Sequence, residues 1–282
     1  MTYPQIAAFA RLADGNVAAT RSIAGQATKL ERDSHDVTYD EVNDEIIVAS
    51  SIGQAILTYR GGANGDETPI RVIQGSKTQI QMPGYGVFVD AVHNETFLVE
   101  GRDRPGEEYI LVFPRTANGD VAPIRVIKGP DTMLKNARSM AVDPVRNLIA
   151  VTSNNGLLIF NRTDSGNVKP RAIIRGPGGN FRITSKGWIV SSGGGGEDGD
   201  NDGGARGGAR GAAGARGGGG GNRGSIRVWN ITDNGNVPPA FVLTNPNGPV
   251  NGGRVALNPK EKEVFLGSSP AVEVYSFPEI FD

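Results

Sequence analysis

The stretch ANGDVAPIR, Ala117 to Arg125, decides how this chain folds, because the phrase recurs along its whole length. It appears as ADGNVAATR from Ala13, ANGDETPIR from Ala63, DSGNVKPRA from Asp164 and DNGNVPPAF from Asp233. Each copy is a Gly-centred polar turn between two apolar runs. A repeat at a fixed spacing of about 50 residues predicts a propeller or a solenoid before any other architecture.

Working outward from Ala117, the run before the turn reads YILVFPR and the run after it reads PIRVIKG. Their counterparts are AILTYR, GLLIFNR and SIRVWN before the turn, and PIRVIQG, PRAIIRG and PAFVLTN after it. Between successive copies lie two further strand-like runs, best seen in SMAVDPVRNLIAVTS from Ser139, where β-branched residues flank a polar DPVRN turn. The same layout recurs at 37–50, 87–101 and 255–268, and in shortened form from Phe181. Each repeat therefore supplies four short strands, A to D, joined by hairpins, which is the content of an antiparallel blade. Apolar spacing at three and four is nowhere sustained, which disfavours helical repeats.

The chain opens with C and D strands, runs through four A–D sets, and ends with A, B and C. This predicts an all-β, five-bladed propeller of four-stranded blades, residues 1–282 in one domain, with the N- and C-terminal strands closing the ring and removing exposed sheet edges. One C strand is then surplus. Either Ile6 to Arg11 or Val272 to Phe277 adds a fifth strand to the closing blade or exchanges between subunits. The alternative is a six-bladed ring with one incomplete blade. In the simplest closure the N-terminal D strand joins the C-terminal A–B–C sheet.

Composition narrows the functional classes. A formal net charge of -1 gives no global signal for nucleic acid or an acidic partner. The absence of cysteine excludes disulfides and thiolate metal sites. No signal-peptide pattern or long apolar run is visible, so the expectation is a soluble protein with no membrane partner, cytoplasmic or, as a trimmed mature form, secreted. Residues 193–224 break the repeat with a low-complexity Gly/Arg-rich stretch that has no core to bury. They read as a flexible insertion in the B–C hairpin of the fourth blade, and deletion of Gly194 to Arg223 is expected to leave thermal stability almost unchanged.

The frame A-VDP-x-x-N-x-I-x-V followed by I-x-VF-R-x-A-x-G-D-x-x-P-x-R-x-I-x-G, clearest from Tyr109 to Gly176, resembles the NHL-like and gluconolactonase-like bacterial β-propellers. That superfamily holds lactonases, other hydrolases and lyases, scaffolds, and RNA- or protein-binding modules, so the resemblance implies a fold and leaves activity open. It implies that A strands line a central channel and that D–A and B–C loops share the face carrying a ligand site. Those D–A loops fall at 26–34, 76–84, 130–138, 177–180 and 245–253.

Lys29, Arg32, Lys77, Lys135, Arg138, Arg182 and Arg254 lie in or beside these loops, and guanidinium forks suit a carboxylate or phosphate ligand. Glu31, Asp33 and Asp131 sit among them, so a solvated rim is the competing reading. His35 is the candidate proton-transfer residue. Ser34 and Asp36 flank it in a strand and point to the opposite face, so spacing makes no triad of the three. His93 reads as a turn residue. A hard cation such as calcium is the cofactor to consider, held by Glu100, Asn154 or Asn155 and Asp33 or Asp36, as the resemblance to lactonases implies. Asp198, Asp200 and Asp202 open a calcium-loop pattern, but Arg206 and Ala209 stand where later ligands belong. Four arginines after Gly203 resemble RGG segments without interleaved aromatics.

The expectation is therefore a non-enzymatic binding or protein-interaction module using the D–A/B–C face for a small anionic ligand or a protein partner. A metal-dependent, lactonase-like hydrolase and an RNA-binding propeller are the alternatives.

Overall fold

The computed structural model describes residues 4–32, 34–101, 107–194, 225–244, 253–267 and 272–282. The protein is a five-bladed β-propeller. Blade 1 is β3 (Ser34–Asp40), β4 (Glu45–Ser50), β5 (Ala55–Arg60) and β6 (Arg71–Gln74); blade 2 is β7 (Pro83–Asp90), β8 (Glu95–Glu100), β9 (Tyr109–Pro114) and β10 (Arg125–Lys128). Blade 3 is β11 (Met140–Asp143), β12 (Leu148–Ser153), β13 (Gly156–Asn161) and β14 (Ala172–Arg175). Blade 4 is β15 (Pro177–Ile183), β16 (Trp188–Gly194), β17 (Ser225–Asn230) and β19 (Phe241–Thr244), with a two-residue β18 (Gly235–Asn236) in its last hairpin. Blade 5 carries β20 (Arg254–Asn258), β21 (Glu263–Gly267) and β22 (Val272–Ser276). Within each blade the neighbouring strands are antiparallel. Among the described residues no helix is long and apolar enough to cross a membrane.

The recurring phrase is more than a hairpin turn, because it grips the neighbouring blade. Gly119 holds φ at 80°, where a side chain is disfavoured, and exchanges backbone hydrogen bonds with β6 of the preceding blade: its N–H reaches Val72 O at 2.7 Å and its carbonyl accepts from Gln74 at 3.2 Å. The flanking side chains complete the grip. Asn118 Oδ1 accepts the Val72 N–H at 2.9 Å, and Asp120 Oδ1 accepts the Lys77 N–H at 2.7 Å. Asn64, Gly65 and Asp66 make the same bonds to Ser22, Ala24 and Ala27. Gly166 with Asn167, and Asn234 with Gly235, repeat the device on blades 2 and 3. The turn thus covers the outer edge that a D strand would otherwise expose.

Apolar clusters fill the spaces between successive sheets. Phe97, Ile110 and Ile127 of blade 2 pack on Met140, Ile149 and Phe160 of blade 3, and Ile47 and Ile73 of blade 1 pack on Leu98 and Phe113 of blade 2. Trp229 and Phe181 of blade 4 close on Ile159 and Ile174 of blade 3. Between blades 4 and 5 the chain end contributes: Phe277 and Ile280, the latter in a 3-10 turn (Pro278–Ile280), join Val228 and Leu266.

Closure of the ring differs from the simplest sequence expectation. The first two strands, β1 (Gln5–Ala8) and β2 (Arg21–Ala24), stay paired with each other as a separate hairpin, so β2 does not complete the β20–β21–β22 sheet. Because β22 already occupies the edge of β21, the hairpin lies in the seam between blades 5 and 1. Ile6 and Ile23 pack on Val48, Leu57 and Tyr59 of blade 1, while Arg11 reaches back to Glu263 of blade 5 at 2.7 Å. One side of the seam is apolar and the other is ionic.

Candidate functional site

The inner strands define the mouth of the channel. Counting back from the polar A–B turn, the same register position is filled by Asp36, Gly86, Ser139, Asn180 and Arg254, one residue from each blade. Each faces inward because the A strand pleats with a period of two. Asp36 is the hub of this ring. Its Oδ2 accepts the N–H of Val87 from blade 2 at 3.1 Å, and its Oδ1 accepts its neighbour Val37. Arg254 of blade 5 comes within 3.4 Å of Oδ1 and Arg182, one pleat deeper on blade 4, within 3.7 Å.

The electrostatics of this cluster follow from burial. Asp36 is only 6% exposed, and desolvation raises its carboxyl above the ordinary range although Arg182, Arg254 and two backbone N–H groups pull the other way. Burial likewise lowers the Arg182 guanidinium, with Asp36 opposing that shift. Arg182 also donates to Phe181 O at 2.9 Å and to Asn180 Oδ1, which accepts the Val255 N–H at 3.2 Å. Blades 4 and 5 are thereby fixed relative to each other at the point where the cations converge.

Two cavities flank Arg254. One, of about 460 Å³, is lined by Asn136, Arg138, Ser139, Thr152, Ser153 and Asn154, by 177–180, and by Arg254. No carboxylate lines it among the described residues. The other, of about 420 Å³, contains Glu31, Arg32, Ser34, Asp36, Arg182 and Arg254 together with Pro4, Gln5 and Ile6 of the terminal hairpin. Each holds a buried hydroxyl with no hydrogen-bond partner, Ser139 Oγ in the first and Ser34 Oγ in the second. Unpaired buried hydroxyls are costly, and a polar ligand atom would satisfy them.

Of the cations singled out from sequence, Arg138 and Arg254 line the first cavity and Arg32, Arg182 and Arg254 the second. Lys29, Lys77 and Lys135 are exposed and line none of these cavities. Lys29 occupies the left-handed position of a loop in which Thr28 Oγ1 donates to Gly25 O, the place held by Gln79 and Met133 in the next two loops. The segment 177–180, expected as a loop, is the bulged start of β15.

His35 is the extra residue of a bulge in β3, and its side chain lies outside what is described. His93 is held in its turn by Asp90, with Nδ1 and Oδ2 2.8 Å apart. Asn154 and Glu100 line different cavities, and no group of three His, Cys, Asp or Glu is placed to hold a metal among the described residues. Asp33, Asp198, Asp200, Asp202 and the RG segment lie outside the described residues. The strands bordering 195–224 pair with each other, and β16 ends opposite Pro177, which lines the first cavity.

Neither family models nor curated protein sequences match this chain. Among solved structures it is similar to a functionally unknown protein from Desulfotomaculum acetoxidans, with a TM-score of 0.55 and 15% identity over 93% of this chain and 73% of the other. That likeness is one of fold.

Proposed function

We propose that the protein is a binding module whose channel mouth takes a small anionic ligand. The observation that carries this reading is that Arg138 of blade 3 and Arg254 of blade 5 line one cavity of about 460 Å³ whose described wall contains no carboxylate, while Arg182 of blade 4 lies behind Arg254 on the shared Asp36 carboxylate. Asp36 keeps part of this charge in place when no ligand is bound, and Ser139 and Asn154 add polar atoms for orientation. A carboxylate or phosphate meets such a site through bidentate guanidinium pairing in a partly desolvated setting, where charge-assisted bonds are strongest. The NHL-like and gluconolactonase-like frame supports placing the ligand on this face.

The test is calorimetry with inorganic phosphate, citrate and gluconate against the native protein and the Arg138→Ala/Arg254→Ala double variant. Binding of at least one anion, weakened tenfold or more in the double variant, is expected. Equal binding by both proteins, or no binding of any of the three at millimolar concentration, would overturn the proposal.

A further inference from the structure

A third cavity, of about 460 Å³, lies away from the arginine cluster, against the second blade, and is lined by Gln54, Gln81, Met82, Glu100, Glu107, Tyr109 and Lys128 with Gly101. Its wall is the reverse of the channel mouth in charge and contains an aromatic ring.

The internal repeat shows which of these residues the fold does not demand. Glu100 ends β8 directly across from Tyr109. At the same register blade 1 pairs Ser50 with Ala55, and blade 3 pairs Ser153 with Gly156. A small hydroxyl opposite a small residue therefore builds this position twice. Blade 2 alone of the three replaces both members, with a carboxylate and a phenol.

The carboxylate is incompletely satisfied. Glu100 is fully buried, its Oε2 accepts the N–H groups of Met82 at 2.9 Å and Gln81 at 3.3 Å, and its Oε1 is buried with no hydrogen-bond partner. A bare buried carboxylate oxygen is among the costlier groups a fold can hold, and a charged donor removes that cost most completely. The ring beside it already shows affinity for an ammonium: Lys128 Nζ sits 4.6 Å from the Tyr109 centroid. Tyr109 itself is oriented by its hydroxyl, which donates to Gln79 O at 2.8 Å.

We infer that this cavity is a second binding site, for a small organic ammonium whose N–H groups donate to Glu100 Oε1 and whose charge rests against the Tyr109 ring. Lys128 is an internal competitor for the same aromatic face. The site is separate from the channel mouth and does not depend on the anion reading.

Burial pushes the Glu100 carboxyl up to about 7, opposed by the backbone N–H groups of Met82, Gln81 and Gly101. The other titratable groups in the wall are Glu107, Tyr109 and Lys128. An ammonium that binds the ionised form should bind roughly tenfold more tightly at pH 8 than at pH 6, since the ionised fraction rises by that factor across a midpoint near 7.

The experiment is calorimetric titration of the native full-length protein with propylammonium and with its neutral counterpart propanol. Propylammonium should bind, more tightly at pH 8 than at pH 6, and propanol should not. Glu100→Ser, the residue type that blades 1 and 3 carry there, should fold normally by circular dichroism and lose tenfold or more in affinity. Lys128→Met should retain binding and strengthen it. Undetectable binding of propylammonium at millimolar concentration, equal binding of propanol, or affinity unchanged by Glu100→Ser would each overturn the inference.

Discussion

Two junctions of this ring are built differently. Where blade 2 meets blade 1, the Asn-Gly-Asp turn stitches itself to the outer strand of its neighbour, and an apolar cluster lies between the sheets. Where blade 5 meets blade 1, a terminal hairpin intervenes: blade 1 stitches itself to β2 with the same turn and packs apolar side chains on it, but toward blade 5 the hairpin reaches across with the Arg11–Glu263 ion pair. The first concentrates stability in repeated main-chain bonds and buried carbon. The second leaves charged groups partly desolvated, which stabilises less and offers more to a ligand, and the arginine cluster of the channel mouth lies beside it.

The contrast can be broken most forcefully at a stitched junction. Gly75 sits at φ 134°, and an added Cβ would come within 2.4 Å of the Asp120 carboxyl. Gly75→Val is expected to cost about 4 kcal/mol in urea unfolding, combining backbone strain with overpacking. A loss under about 1 kcal/mol would show that the stitch yields easily. At the seam, Asp36→Ala removes the acceptor of the Val87 N–H and leaves the Arg182 guanidinium poorly compensated, at an expected cost of about 2–3 kcal/mol. Combining it with Arg182→Met should cost less than the sum of the single changes, and strict additivity would mean that the two groups do not interact.

Glu100 sharpens the comparison through pH. Its folded value of about 7 lies above the ordinary 4.5, so the folded protein binds this proton more tightly than the unfolded chain does. The stability it contributes is present below pH 4.5 and is lost as pH rises through 7, to a total of roughly 3 kcal/mol. Unfolding free energies of Glu100→Gln should accordingly fall less between pH 5 and pH 8 than those of the native protein. An identical slope would contradict the shifted titration.

Smaller effects separate the junctions further. Asp120→Ala deletes one side chain-to-backbone bond in a stitch and should cost about 1–2 kcal/mol. Arg11→Ala at the seam removes an ion pair whose arginine is 42% exposed, and thermal unfolding should register no more than about 0.5 kcal/mol. If Arg11→Ala proved the more damaging of the two, the terminal hairpin would be the main fastening of the ring.

Much of the fold could be read directly from the repeated phrase, because Gly at a left-handed turn and alternating apolar strands are local properties. Asp40, Asp90 and Asp143, the last residues of their A strands, each cap the following turn by accepting two backbone N–H groups. The gripping role of Asn118 and Asp120 is a contact between repeats, so the turn motif alone does not reveal it. Closure was harder to read, since β1 and β22 compete for equivalent places and sequence does not rank them. At the channel mouth, Arg138, Arg182 and Arg254 stood out by charge. Asp36 as the carboxylate shared by Arg182 and Arg254, and Glu100 as an outlier, emerge only when equivalent positions are set side by side: Gly86 and Ser139 against Asp36, Ser50 and Ser153 against Glu100. Lys29, Lys77 and Lys135 had the same charge signal, but short loop geometry turns them to solvent.

The stitch also has a direction. Gly65, Gly119, Gly166 and Gly235 all clasp the D strand of the repeat before their own. As the polypeptide leaves the ribosome, each newly made sheet therefore waits with an open flank until the following repeat emerges to seal it. A nascent chain halted between repeats would present the unstitched D strand of its last complete sheet to chaperones or to another nascent chain.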